Sequence, residues 1–315
     1  KYDAPLTADI QGIVGPVSDW VCTTEKADDV GTDAARAVAA AKSWPGKIAT
    51  LILPADAAWS ETEIYGDVLL ADGPKPVDAA DVQRVAEILR SDQRAVIFMS
   101  GAVLTEPGLS LAGKIKTATG CDLLAQTSNR RIDRGAGRVS INKLPYSVDK
   151  ALETLRDYDA IILLGTKEPV SFFAYPDKPS RLAPEGAEIV KLAGPEQDTV
   201  RALELLVDAL GAGDADPGVV VAAAGPDPSA LKGPITPEAI SAAFVGQMPE
   251  HAIIVDESIT TGRSFFPDSH AAPPHSWLQV TGGAIGDGLP MAVGAAMACP
   301  DRKVMVLQSD GSAMY

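Results

Sequence analysis

Short runs of apolar residues alternate along this chain with alanine-rich stretches, and this alternation constrains the fold more than any other feature. The continuously apolar runs are residues 48–53, 95–99, 160–164, 252–255 and 303–307. Strands without polar alternation are typical of parallel sheets that are covered on both faces. Repeated alternation of such strands with helices is typical of α/β proteins. We therefore expect an α/β fold built on parallel sheets.

The stretches between these runs predict helices that have recognisable ends. The predicted helices are residues 33–43, 80–91, 148–158 and 198–210. Asp78 and Ser147 precede two of them and can cap a helix by accepting a hydrogen bond from a free backbone N–H group. Gly211 follows the last one and is a typical residue for a helix end.

Segments rich in proline and glycine predict where domains begin and end. Residues 72–76 read Asp-Gly-Pro-Lys-Pro, and residues 213–233 combine Gly, Asp, Pro and Ala around a short apolar insert. Such composition is typical of boundaries and linkers. We expect three segments, residues 1–70, 76–212 and 234–315, with a linker at 213–233. Because the chain lacks an initial Met and stops just after a strand and a turn, we expect a fragment of a longer protein.

Charge and cysteine content exclude several classes of function. Asp and Glu number 42 against 27 Lys and Arg, a net charge of −15, which disfavours binding to nucleic acid or to an anionic membrane. No apolar run approaches the roughly 20 residues that span a bilayer. Cys22, Cys121 and Cys299 lie far apart, so neither a disulfide framework nor a zinc site is indicated. We expect three buried thiols in a reducing cytoplasm.

A glycine-rich segment near the end of the chain predicts a ligand-binding turn. Residues 281–290 read Thr-Gly-Gly-Ala-Ile-Gly-Asp-Gly-Leu-Pro and precede an alanine-rich helix. Glycines allow a backbone to approach a ligand closely, and a turn that opens a helix can cradle an anion. The glycines are out of register with the GxGxxG pattern of dinucleotide-binding proteins. A nicotinamide-dependent dehydrogenase is therefore disfavoured.

Two polar segments follow predicted strands and add to this site. Asp310, Gly311 and Ser312 follow the run 303–307, and residues 256–262 (Asp-Glu-Ser-Ile-Thr-Thr-Gly) follow the run 252–255. Ligands of open α/β sheets bind at the carboxyl ends of strands, so we expect all three segments at one edge of one sheet. A carboxylate there can hold a hard cation such as Mg²⁺, and hydroxyl and N–H groups can hold phosphate.

Together these segments resemble the diphosphate-binding domain of thiamine-diphosphate-dependent 2-oxoacid enzymes, the group that includes acetolactate synthase and benzoylformate decarboxylase. The pieces that match are residues 255–258, 282–290 and 309–312, with Ser309 in place of the first Gly of the family's Gly-Asp-Gly metal motif. The resemblance implies a three-domain architecture that is incomplete at both ends. Residues 1–70 would be the C-terminal part of a pyrimidine-binding domain, 76–212 a Rossmann-like central domain, and 234–315 the N-terminal part of the diphosphate-binding domain.

The resemblance also implies roles for particular residues. Asp310 would bind Mg²⁺, the carbonyl of Gly283 would accept from the 4′-amino group of the cofactor, and Ile285 would hold the cofactor in its bent form. The residues that would surround the diphosphate are Ser258, Thr260, Gly311 and Ser312. The family's activating Glu and its Asn metal ligand are expected outside these 315 residues. No catalytic acid or base can be assigned within the chain, and the chain alone is expected to be inactive.

Three further groups of side chains leave alternatives open. Glu257 is expected to organise the strand end rather than to transfer protons. His275 is expected in a loop, and the alternative is a position that faces the pocket. The aromatic segment 172–175 would either stack on a flavin, as in acetolactate synthases, or simply pack, and we favour packing. Related decarboxylases carry a catalytic His in this region, whereas residues 170–176 contain none.

The function implied is a cytoplasmic, thiamine-diphosphate- and Mg²⁺-dependent decarboxylation or carboligation of a small 2-oxoacid, similar to that of acetolactate synthase. An aryl 2-oxoacid decarboxylase and a non-catalytic relative of the family are the alternatives. Because this family places its cofactor between two subunits, a homodimer or homotetramer is implied.

Overall fold

The computed structural model describes residues 5–223 and 232–315, and the chain divides into two compact units, Lys1–Pro76 and Val77–Tyr315. The strands are β1 (Trp20–Thr23), β2 (Ala49–Ile52), β3 (Ala95–Met99), β4 (Asp122–Ala125), β5 (Ile132–Arg134), β6 (Asn142–Lys143), β7 (Ala160–Leu164), β8 (Glu188–Ala193), β9 (Ile253–Glu257), β10 (His275–Gln279) and β11 (Val304–Gln308). The α-helices are α1 (Ile10–Val14), α2 (Val30–Lys42), α3 (Ala55–Trp59), α4 (Ala79–Arg90), α5 (Glu106–Thr119), α6 (Val148–Leu155), α7 (Thr199–Leu210), α8 (Pro237–Gly246), α9 (Phe265–Asp268) and α10 (Gly288–Ala298).

The first unit contains a parallel pair of strands joined through a helix. β1 pairs with β2, and α2 lies between them in the chain and contacts both. This is the strand–helix–strand unit that the apolar alternation predicts. The run predicted at 48–53 is one residue shorter at each end in the structure.

The second unit contains a five-stranded parallel sheet in the order β6-β4-β3-β7-β8. Numbered as these strands occur in the chain, the order is 3-2-1-4-5, that of a doubly wound fold. One core cluster packs β3 and β7 against α4, α5 and α7, and a second cluster packs the opposite side of the same strands against α6. Helices therefore cover both faces, which confirms the α/β fold with parallel sheets.

A second sheet in this unit has the order β11-β9-β10-β5. β9 pairs in parallel with both β10 and β11, whereas β5 pairs antiparallel with β10. β5 comes from the middle of the segment 76–212, so this segment supplies a strand to the sheet of segment 234–315. A run of three residues, Ile-Asp-Arg, was too short to be predicted as a strand.

Most predicted elements are present, with small shifts at their ends. Asp78 caps α4 by accepting a hydrogen bond from the Ala80 N–H, at 2.9 Å. Gly211 ends α7 in the left-handed conformation at φ 67°, as predicted for that glycine. Ser147 makes no capping hydrogen bond through its side chain, and α6 ends at Leu155, before the predicted residue 158.

The remaining expectations for the chain have mixed outcomes. Part of the linker predicted at 213–233, residues 224–231, lies outside the described residues, and Val219 in its described part bridges to Val139. All three cysteines are free, but only Cys121 is buried. The expectation of three buried thiols is therefore wrong for Cys22, on the half-buried strand β1, and for Cys299, at the end of α10. Among the described residues, no helix is both long and apolar enough to span a membrane. The division into three domains with these bounds stays a prediction.

Candidate cofactor-binding site

The carboxyl ends of β9 and β11 lie side by side and bring the predicted segments together. Gln308, the last residue of β11, is in register with Glu257, the last residue of β9. The Ser309 N–H donates to the carbonyl of Glu257 at 3.1 Å. The polar segments that begin at residues 256 and 309 therefore lie at one edge of one sheet, as the sequence predicts.

Glu257 fastens the glycine-rich turn to this edge. Its side chain is only 1% exposed, and its carboxylate accepts from the Gly286 N–H at 2.5 Å and from the Gly288 N–H at 2.9 Å. Gln308 Nε2 is a third donor, at 2.9 Å. Burial would raise the pKa of Glu257, but these three hydrogen bonds outweigh burial and lower it. An ionised carboxylate that holds a turn fits the organising role expected for Glu257.

The turn needs glycine at two positions for different reasons. Gly286 has φ 102°, a conformation that residues with a side chain rarely adopt. Gly288 has no room for a side chain, because a Cβ atom there would lie 2.6 Å from both Gln308 Oε1 and Glu257 Oε2. The backbone thus sits directly against the ends of β9 and β11. Glycine at these positions fits a turn that approaches other groups closely.

The segment after β11 exposes its acidic residue and buries its serine. Asp310 and Gly311 are exposed, and the described residues offer the Asp310 carboxylate no hydrogen-bond donor. Ser312 is buried, and its hydroxyl accepts from Gln308 Nε2 at 2.7 Å and lies against the Ser309 hydroxyl. Gln308 therefore connects Glu257 to Ser312. Gln308 was not predicted as a site residue, because the last position of an apolar strand gives no sign of a polar role.

The segment after β9 presents its two predicted hydroxyl residues differently. Ser258 is buried, and its Oγ and its backbone N–H both donate to the carboxylate of Asp256. Thr260 is exposed. Ser258 thus uses its hydroxyl proton within the loop, while Thr260 keeps its hydroxyl open to the surface.

Gly283 and Ile285 lie in the exposed part of the turn. The side chain of Ile285 is 54% exposed and is therefore open to contact with a ligand. A Cβ atom on Gly283 would lie 3.2 Å from the ring of Phe172. Half-exposed aromatic rings continue from Phe172 to Phe173 and Tyr146, with ring centroids 4.8 Å and 5.6 Å away. The aromatic segment therefore borders the glycine-rich turn, a contact that sequence spacing alone does not reveal.

His275 is not in a loop, which corrects the prediction made for it. It is the first residue of β10, is 1% exposed, and lies opposite Arg134 of β5. Its Nδ1 lies 2.8 Å from the carbonyl of Pro273, so Nδ1 carries the proton and donates. Prolines at 273 and 274 come directly before His275, and the pairing of β10 with β5 makes His275 the first residue of the strand.

The donor atoms at this edge suit a hard cation and a diphosphate. Among the described residues, no group of three or more His, Cys, Asp or Glu side chains could enclose a metal ion by itself. Mg²⁺ commonly binds through one or two carboxylates together with phosphate oxygens and water. The exposed Asp310 carboxylate fits that pattern, and a Cβ atom on Gly282 or Gly311 would meet nothing within 4 Å, so the backbone at these two glycines is open to a ligand.

Comparison with known proteins agrees with this geometry. Residues 264–315 match the family model described as "Thiamine pyrophosphate enzyme, C-terminal TPP binding domain". The whole chain is 45% identical to the protein named "Putative acetolactate synthase large subunit IlvX" from Mycobacterium tuberculosis, of which it spans 60%. Over 184 residues, 55% of this chain and 34% of the relative, it is 31% identical to a benzoylformate decarboxylase from Pseudomonas aeruginosa.

A solved structure extends the similarity to the fold. The thiamine diphosphate-dependent 4-hydroxybenzoylformate decarboxylase of Rhodococcus jostii RHA1 superposes with a TM-score of 0.74 at 22% identity, over 98% of this chain and 61% of that one. At that identity the match concerns the fold alone. The residues that the family model matches, 264–315, include the turn that Glu257 holds and the segment after β11. This part of the chain therefore matches the C-terminal thiamine-pyrophosphate-binding domain, and the chain is similar over its full length to a protein named as an acetolactate synthase large subunit and over part of its length to a benzoylformate decarboxylase.

Proposed function

We propose that the whole protein catalyses thiamine-diphosphate- and Mg²⁺-dependent decarboxylation or carboligation of a 2-oxoacid, in the manner of acetolactate synthase. The observation that carries this proposal is the pair of hydrogen bonds from the Gly286 and Gly288 N–H groups to the Glu257 carboxylate. These bonds hold the glycine-rich turn beside the Asp310 segment, at the ends of β9 and β11. The relative named as an acetolactate synthase large subunit supports this choice of reaction, because it matches the full length of the chain.

Each predicted site residue has a role in the proposal. Asp310 holds Mg²⁺, and the diphosphate binds to backbone and hydroxyl groups of Gly311, Ser312, Ser258 and Thr260. The carbonyl of Gly283 orients the pyrimidine ring, and the exposed side chain of Ile285 supports the bent cofactor. Because Ser312 and Ser258 are already hydrogen-bonded within the protein, we expect Thr260 and the backbone N–H groups to do more of the diphosphate binding.

The protein's contribution in this proposal is orientation. When bound, thiamine diphosphate supplies an electron sink for the carbanion that forms as CO₂ leaves. Glu257 keeps the turn at a fixed position, and a fixed turn holds Gly283 and Ile285 in one geometry relative to the ligand. Preorganisation of this kind makes reactions between held groups effectively intramolecular.

The first test replaces the proposed metal ligand in the whole protein. Asp310→Ala should weaken Mg²⁺-dependent binding of thiamine diphosphate by at least about 100-fold, measured by calorimetry, because one charged ligand of a dication is lost. Asp301→Ala removes an exposed carboxylate just before β11 and should bind like the wild type. Equal affinity of the Asp310 and Asp301 variants would show that Asp310 does not hold the metal.

One observation favours a second reaction, the decarboxylation of aryl 2-oxoacids. The half-exposed rings of Phe172, Phe173 and Tyr146 border Gly283, so the proposed site has an aromatic side. Comparing kcat/KM for pyruvate and for benzoylformate decides between the two reactions. If the wild type binds the cofactor and turns over neither substrate, the alternative of a non-catalytic relative is favoured.

The assembly and location of the whole protein are also part of the proposal. We infer a cytoplasmic homodimer or homotetramer that uses a small 2-oxoacid and binds neither nucleic acid nor membrane. Flavin is left out of the proposal, because an aromatic cluster after a strand is more often part of the packing than a flavin site. Sedimentation of the whole protein with and without the cofactor measures the subunit number.

A further inference from the structure

Lys143 is a half-buried lysine outside the predicted site, and its contacts lead to both predicted cofactor loops. It is the last residue of β6, at the edge of the five-stranded sheet. Its Nζ donates to Gln279 Oε1 at 2.9 Å and lies 4.1 Å from the centre of the Phe266 ring. Gln279 ends β10, directly before the glycine-rich turn, and Phe266 lies in α9, directly after the loop of Ser258 and Thr260.

Phe266 is held by a second cation from the same part of the chain. The Arg134 guanidinium lies 3.5 Å from the centre of the Phe266 ring and donates to the carbonyls of Phe266 and Ile141. Cations over aromatic faces are attracted by the ring quadrupole, more strongly when both are removed from water. Arg134 and Lys143 thus fix α9 from the side of the segment 76–212.

The two cations lack the partners that normally accompany buried charge. Among the described residues, neither Arg134 nor Lys143 forms an ion pair with a carboxylate; Asp256 acts on Lys143 only at longer range. Burial lowers the pKa of Lys143 to about 8, with Asp256 opposing and Arg134 adding to the shift. An unpaired, half-buried ammonium group is costly, so a lysine here indicates a specific contact rather than a solvent-exposed position.

We propose that Lys143 is a positioning residue that sets the affinity for thiamine diphosphate. It holds the 258–264 loop through Phe266 and the 281–288 turn through Gln279, so that the two segments keep a fixed position relative to each other. This inference rests on the proposed function, because it assigns a role in binding the same cofactor. Lys143 need not contact the cofactor. Its hydrogen bond fixes the residue that precedes the turn, and its contact with Phe266 fixes the helix that follows the loop.

The test begins without cofactor, so that it does not depend on activity. Lys143→Met keeps an unbranched apolar chain but removes the charge and the N–H donors. Hydrogen exchange of the ligand-free protein should become at least about fivefold faster in both the 258–264 and the 281–288 segments, with β3 and β7 unchanged, as expected for local rather than global opening. Lys114→Met is the matched control, because Lys114 is also half-buried and donates to a carbonyl, that of Gly213, at 2.6 Å.

Cofactor binding then separates positioning from general stability. Lys143→Met should weaken thiamine diphosphate binding by about tenfold, and Gln279→Met should do the same, while the double variant should be no worse than either. Lys143→Arg keeps a cation and a donor and should recover binding to within about threefold of the wild type. Gln279→Met keeps the proposal testable if Lys143→Met does not fold.

The outcomes distinguish this inference from the proposed function. Unchanged exchange in both segments, additive losses in the double variant, or no recovery with Lys143→Arg would each overturn the role of Lys143. If the wild type does not bind thiamine diphosphate at all, the proposed function fails. In that case faster exchange in Lys143→Met would still show that Lys143 fixes both loops, but the inference about affinity would fall with the function.

Discussion

Two buried titratable side chains near the candidate site differ in how many hydrogen bonds they form. Glu257 is charged and receives three hydrogen bonds, whereas His275 has one acceptor, the Pro273 carbonyl, and a buried Nε2 without a partner among the described residues. Burial therefore lowers the pKa of His275 to about 4, with Arg134 and Arg138 adding to the effect. Both groups disfavour protonation in the folded state, so both make the fold sensitive to acid.

His275 should make the free energy of unfolding depend on pH in a defined window. Its pKa is about 6.5 when unfolded and about 4 when folded, so the unfolded state binds the extra proton first as the pH falls. The stability that the neutral side chain contributes is present above pH 6.5 and is lost progressively down to about pH 4, by about 3 kcal/mol in total. Urea unfolding of the wild type and of His275→Gln, measured at intervals across this window, should show the wild type losing more stability.

His270→Gln provides the control, because His270 is exposed and its Nδ1 lies 3.1 Å from the Pro267 carbonyl, at the surface rather than in the core. It should follow the wild-type pH profile. A His275→Gln variant with the same acid loss as the wild type would mean that the carboxylates alone account for the pH dependence.

At the scale of single elements, the sequence predicts strands and helices better than it predicts contacts. The strands at 95–99 and 160–164 are found with the predicted ends, because a parallel strand covered on both faces must be apolar throughout. β5 and β6 were not predicted, since two or three residues carry no periodic signal. Likewise, the sequence could predict that the segments 256–262, 281–290 and 309–312 meet at one edge, but not that Ser258 turns its hydroxyl to Asp256.

Helix α10 offers a matched pair of glycines that tests how tightly its first turn is packed. Gly288→Ala would place a Cβ atom 2.6 Å from Glu257 Oε2 and from Gln308 Oε1, so both of these side chains must shift. We expect a loss of about 2 kcal/mol in the free energy of unfolding. Gly294→Ala, in the same helix, meets nothing within 4 Å and should instead stabilise by roughly 0.5–1 kcal/mol.

Chemical denaturation of the two variants measures both effects. Opposite signs would show that the close contact, rather than helix propensity, requires glycine at position 288. If both variants were stabilised, Glu257 and Gln308 would have enough freedom to move away from the new Cβ atom, and their packing against Gly288 would be less tight than the distances indicate.

At the scale of the whole second unit, β5 links two segments that sequence patterns assign to different domains. It comes from the segment 76–212, which forms the five-stranded sheet, and pairs in the sheet of the segment 234–315. Asp133 in β5 is buried and accepts from the Ser276 hydroxyl of β10 at 2.9 Å and from the Glu106 N–H, at the start of α5, at 3.2 Å. Arg131 donates to it at 3.0 Å, and Arg138 forms an ion pair at 3.3 Å. Burial would raise the pKa of Asp133, but the hydrogen bonds from Arg131 and Ser276 outweigh burial, and the pKa is lowered overall. One charged carboxylate thus connects the second sheet to α5, a helix that packs on the five-stranded sheet.

Asp133→Asn should therefore weaken the coupling between the sheets as well as the stability of the unit. The amide cannot balance Arg131 and Arg138, so we expect a loss of about 3 kcal/mol in the free energy of unfolding. In the wild type, β3, β7, β9 and β10 should exchange their amide hydrogens in one cooperative opening, whereas in Asp133→Asn β9 and β10 should open before β3 and β7.

Asp157→Asn, which alters only exposed ion pairs with Arg94 and Arg156, should change stability by less than about 1 kcal/mol. Simultaneous opening of all four strands in Asp133→Asn would show that the apolar core around Trp277, rather than the Asp133 network, holds the sheets together.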